Sequence, residues 1–74
     1  MVMNKLVLVE EVNGTEVHIN VDYVVSVAQM IDGEKRPVIG QVSVGLAAGQ
    51  GGEVMRIAVK GTVEEIANLI NTGG

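Results

Sequence analysis

His18 is the one histidine in the sequence and its candidate general base, and the serine hydroxyls that could partner it are Ser26 and Ser43. Hydrolytic chemistry needs a nucleophile, a base and a third group that orients the base. With one histidine, no cysteine and no spacing that marks a triad, the chain is read as non-enzymatic. His18 is then a solvent-facing strand residue. Metal binding fares no better, because a single histidine among scattered carboxylates lacks a recognisable ligand spacing. No metal or other cofactor is expected.

The segment Gly49-Gln50-Gly51-Gly52 is the other candidate, since glycine-rich backbone can turn its amides toward phosphate. A phosphate-binding loop also needs a Gly-Lys-Ser/Thr ending at a helix start, and a dinucleotide fingerprint needs a strand running into a helix. Neither context is present, so the segment from Gly45 to Gly52 reads as a hairpin tip between two strands. Were it to bind a small anionic ligand, Arg36 and Arg56 are the cations to serve it, with Gln41 and Gln50 as amide donors. Asn20 and Asp22 read as residues that cap a bend through nearby backbone amides.

The elements that would carry these residues are mostly strands. Leu6 to Val9 is continuously apolar, and Asn13-Gly14 follows as a hairpin signal, both residues tolerating the positive φ of a type I′ turn. Val17, Ile19, Val21, Tyr23, Val25 and Val27 then share one parity, which predicts a buried face, with His18, Asn20, Asp22 and Ser26 opposite. Asn20 and Asp22 are poor strand formers and predict an irregularity near Val21. Asp32-Gly33 predicts a second turn and Pro37 a strand start. Val38, Val42, Val44 and Leu46 mark a third strand that Gly40 interrupts, and Val54 to Lys60 alternates as a fourth. Thr62 and Glu65 form a capping box, followed by Val63, Ile66, Ala67, Leu69 and Ile70 at helical spacing. Glu64 and Glu65 fall in the first turn, where negative charge complements the helix dipole. The expected fold is mainly β: a four- to five-stranded antiparallel meander or half-barrel with one C-terminal amphipathic helix, in a single domain spanning residues 1–74.

Composition narrows the function. Of the 74 residues 47% are hydrophobic, yet Tyr23 is the sole aromatic, so the core must be aliphatic. A domain this short hides only about 60% of the surface its unfolded chain exposes, and small domains compensate with disulfides, metals or self-association. Without cysteine, and with one histidine, self-association is the remaining route, and a homo-oligomer is expected. A net charge of −4 disfavours nucleic acid, whose phosphates call for clustered lysine and arginine. Lys5 precedes only a four-residue apolar run, far short of a signal peptide or membrane span, so no membrane insertion and a cytoplasmic location are expected.

Val12-Asn13-Gly14, then Val17, Ile19-Asn20, Asp22, Val24-Val25 and Val27, then Ile57-Ala58-Val59-Lys60 running into Thr62-Val63-Glu64-Glu65-Ile66, resembles the FlbD family of small flagellar proteins and related short phage or prophage proteins. The resemblance covers most of the chain and implies a shared β scaffold ending in a helix. It brings no catalytic residues with it. The departure is the hairpin from Pro37 to Gly52, longer and richer in glycine than the resemblance implies. Two functions follow as expectations: a self-associating module that binds another protein, or a phage-type protein that sequesters a nucleotide signal.

Overall fold

The computed structural model describes residues 6–48 and 52–72. Strands β1 (Leu6–Glu10) and β2 (Glu16–Asn20) form one antiparallel hairpin. A short 3-10 turn, Val21–Tyr23, leads into β3 (Val24–Ile31), β4 (Pro37–Ala47) and β5 (Val54–Lys60), a three-stranded antiparallel sheet ordered β3-β4-β5. Helix α1 (Val63–Thr72) closes the chain and contacts β3. The chain is thus mainly β, with two antiparallel sheets and one C-terminal helix. Neither ladder reaches the four or five strands expected of one meander.

The division has a local cause. Asn20 Oδ1 accepts from the Asp22 amide at 2.9 Å, which satisfies that donor within the turn and ends the β2 ladder. This is the irregularity expected near Val21. It also resets the parity. Val24 pairs with Leu46 and Val27 with Val44, but the register slips between Val24 and Ser26, so Val25 is bulged out. Tyr23 and Val25, assigned by alternation to the buried face, are exposed instead.

The two β-turns at Asn13-Gly14 and Asp32-Gly33 share one construction. In the first, the Gly14 amide donates to Glu11 O at 2.8 Å and the Glu11 amide to Thr15 O at 2.8 Å. Only Gly14 takes a positive φ, of 95°, so this is a three-residue loop with a bulged glycine and not the type I′ turn that the dipeptide predicts. In the second, the Lys35 amide donates to Asp32 O at 3.0 Å and the Asp32 amide to Arg36 O at 2.9 Å, with Lys35 at φ 64°. Gly14's counterpart here is thus a lysine.

Val7, Val9, Ile19, Val42, Val44, Val59 and Ile66 are buried, and Val63, Leu69 and Ile70 of α1 pack against them. Each buried valine removes apolar surface worth about 1.5–3 kcal/mol from water. Cross-strand rows organise the inner face: Val24, Leu46 and Met55; Val27, Val44 and Ile57; Gln29, Val42 and Val59. The hairpin β1-β2 joins the larger sheet at one corner, through a bridge between Glu11 and Val59, a Val12 amide to Ala58 O bond of 3.1 Å, and a Lys60–Glu10 ion pair of 3.1 Å. Gly45 and Leu46, where the expected third strand and glycine-rich tip overlapped, belong to β4, which also takes in Ala47 from the tip. No helix among the described residues is long and apolar enough to cross a membrane.

Candidate functional site

A cleft of about 310 Å³ opens where β2 faces the far end of the three-stranded sheet. Its floor is aliphatic, from Val17 and Ile19 of β2, Leu46 of β4 and Ile57 of β5. These are inward positions of their strands, left half-covered, while the hairpin β1-β2 bridges to the larger sheet at its Glu11 corner. Tyr23 and Met55 stand at the rim with 59% and 53% of their surfaces exposed. His18, Asn20 and Glu11 bring polar side chains to the cleft, Glu11 being its acidic residue.

The residues put forward for an anionic ligand are placed differently. Arg36 lies in the β3-β4 turn, where Nε reaches Asp32 Oδ2 at 3.3 Å and a terminal nitrogen reaches Glu34 Oε1 at 3.4 Å. Its charge is already spent on that turn. Arg56 pairs with Gly45, nine residues along the chain from Arg36, which places the two arginines roughly 25–30 Å apart by strand rise. Gln41 pairs with Lys60 on β4 and β5, and its carbonyl accepts from Gln29 Nε2 at 3.4 Å. Gly52 sits at the β4-β5 turn with φ 78°, next to an Ala48 amide to Glu53 O bond of 3.1 Å. Gly49, Gln50 and Gly51 lie outside the described residues. The structure therefore groups Gly52 with the Arg56 end of the sheet and separates both from Arg36.

Among the described residues, no three or more His, Cys, Asp or Glu side chains come together as a metal cage would require. No family model, curated protein or solved structure matches the chain.

Large apolar side chains are exposed at both ends of the three-stranded sheet. Alternation alone hid the cleft, because Tyr23 and Met55 carry the same signal as core residues. What could have pointed to it is the strand-breaking pair Asn20 and Asp22, which turns the chain and uncovers the end of the sheet. At the opposite end, β3 and β4 are out of register between Gln29 and Ile31. Gly40 takes φ 81° there, and Gln29 Nε2 fills the gap by donating to Val38 O at 2.9 Å and Met30 O at 3.1 Å. Ile39 in this bulge has 89% of its surface in solvent, and Ile31, opposite Pro37 on the paired strand, has 54%.

Proposed function

We propose that the chain is a small non-catalytic protein-interaction module that self-associates. The observation that carries this reading is the balance of its apolar side chains. Among the described residues seven hydrophobic ones are buried, while nine large ones are exposed, from Leu6 and Leu8 on the outer face of the first hairpin to Ile39 and Met55 at the two ends. Scattered exposed aliphatics are ordinary on a protein surface, whereas grouped ones mark interaction sites. A continuous apolar strand such as Leu6 to Val9 suits burial on both faces, and this chain covers only the Val7 and Val9 face. The Glu11–Val59 bridge and the Lys60–Glu10 pair support reading the two sheets as sides of a half-barrel whose mouth is the cleft.

Size-exclusion chromatography with light scattering tests it. A mass above that of one 7.7 kDa chain, rising with concentration, is expected. A monodisperse monomer across the accessible concentration range overturns the reading.

A second reading, a small-ligand binder, draws on the cleft itself, whose volume of about 310 Å³ sits at the lower end of the range for small-molecule sites. A thermal-shift screen with nucleotides and uncharged aromatic compounds separates the two, because a ligand that binds the native state raises Tm.

A further inference from the structure

The two apolar ends of the molecule differ in shape. One is a hole: the cleft floored by Val17, Ile19, Leu46 and Ile57. The other is a projection: the bulged arm of the β3-β4 hairpin carrying Ile39 and Ile31. Leu46 at the cleft and Pro37 at the base of the arm are separated by nine residues of β4, roughly 25 Å allowing for the bulge. A chain cannot bring its own arm into its own cleft. A second copy can.

We propose that the Ile39 arm of one copy seats in the β2-side cleft of the next, joining copies head to tail. The inference rests on the self-association reading and names the surfaces that carry it. The volume suits one or two aliphatic side chains, the kind of anchor that fills a pocket at the centre of an interface. Charge fits as well. Arg36 bridges Asp32 and Glu34, which leaves Lys35 as the cation on the turn without an ion pair among the described residues. Glu11 at the cleft likewise has none there. Lys35 of one copy facing Glu11 of the next gives the contact its orientation, while the buried isoleucine supplies most of the affinity. The bulge itself argues for use, since the Gln29 amide bonds to Val38 O and Met30 O hold an arrangement whose outcome is an isoleucine in water.

Because the two surfaces are different, the contact is heterologous, and copies joined this way either close into a ring or continue as a chain. That asymmetry supplies a decisive experiment. Ile39→Asp removes the projection and keeps the cleft; Met55→Asp blocks the cleft and keeps the projection. Both positions are exposed, so each variant is expected to retain the β-type circular dichroism of the parent.

Light scattering on each variant alone should give one chain, 7.7 kDa. Mixed in equal amounts they should give a heterodimer and nothing larger, since the one intact projection meets the one intact cleft. Parent chains that are oligomeric while either variant alone stays equally oligomeric would overturn the head-to-tail contact and leave self-association standing. Variants that are monomeric alone and remain monomeric when mixed would also overturn it, pointing to a symmetric interface. A parent that is itself monomeric at all concentrations removes both readings.

Discussion

Ser26 stands directly across from Gly45 in the β3-β4 ladder, and a methyl group added to Gly45 would come within 2.5 Å of Ser26 Oγ. Val54 Cγ1 would lie 3.1 Å from the same methyl, so the site is closed from two sides. Ser26 Oγ is buried there with no hydrogen-bond partner. The row Ser26, Gly45, Arg56 thus packs a hydroxyl over bare backbone. Gly45→Ala should cost about 1–3 kcal/mol through overpacking. Ser26→Ala alone should be neutral or slightly stabilising, because it deletes an unsatisfied polar atom. The pair together should recover most of the loss, which urea unfolding of all four proteins would show as a coupled cycle.

The two related turns make a matched comparison. Gly14 and Lys35 occupy equivalent left-handed positions, where a side chain costs roughly 1–2 kcal/mol. Gly14→Ala should therefore lower stability by about 1 kcal/mol. Lys35→Gly should raise it by about 0.5 kcal/mol, after the added freedom of the unfolded glycine is subtracted. Thermal unfolding in the Ile39→Asp background reads both without interference from assembly.

The helix start is held reciprocally: the Glu65 amide donates to Thr62 Oγ1 at 3.1 Å and the Thr62 amide to Glu65 Oε1 at 3.0 Å. Thr62→Ala should destabilise by about 1 kcal/mol. In a domain of this size that corresponds to a fall in Tm of roughly 4–8 °C, whereas Thr62→Ser should change Tm little.

Asp32 governs the acid response of the β3-β4 turn. Its carboxylate accepts from the Arg36 amide at 3.0 Å and the Glu34 amide at 2.8 Å, and these bonds, with the Arg36 guanidinium, hold its pKa below the usual aspartate value against a small opposing effect of burial. A depressed folded-state pKa stabilises the fold above the unfolded value of about 3.9, and that contribution is lost as pH falls through the folded value. The turn should stay intact at pH 5 and loosen only below pH ~4. Backbone amide shifts of Glu34 and Arg36, followed by NMR, should titrate together there, and Asp32→Asn should remove the shared step.

Most of the scaffold was legible because its signals are local. The capping box at Thr62 and Glu65, the alternation of Ile57 with Val59, and the bend at Asn20 and Asp22 each depend on residues within one turn or strand. Val25 was misplaced because the bulge that exposes it is decided by pairing with β4, about twenty residues away, and Tyr23 because it falls in the 3-10 turn that interrupts the alternation. Ile39 escaped notice for the same reason. Its exposure goes with a bulge in which Gln29 reaches across nine positions to the Val38 carbonyl, a bond that no periodicity encodes. The cleft was invisible for a further reason: a concavity belongs to how β2 and β5 meet, and no single strand carries it.

The bulges in β3 also bear on how such chains could stack. Val24 to Ile31 is an uncharged run between Asp22 and Asp32, the composition that favours edgewise fibril growth. With register breaks after Val24 and after Gln29, the straight stretch left is Ser26 to Gln29, and the two strands of the first hairpin, β1 and β2, have only five residues each. Sideways zippering is thereby given little to hold, and the exposed isoleucines and methionine at the ends can meet partners without turning the chain into an amyloid template.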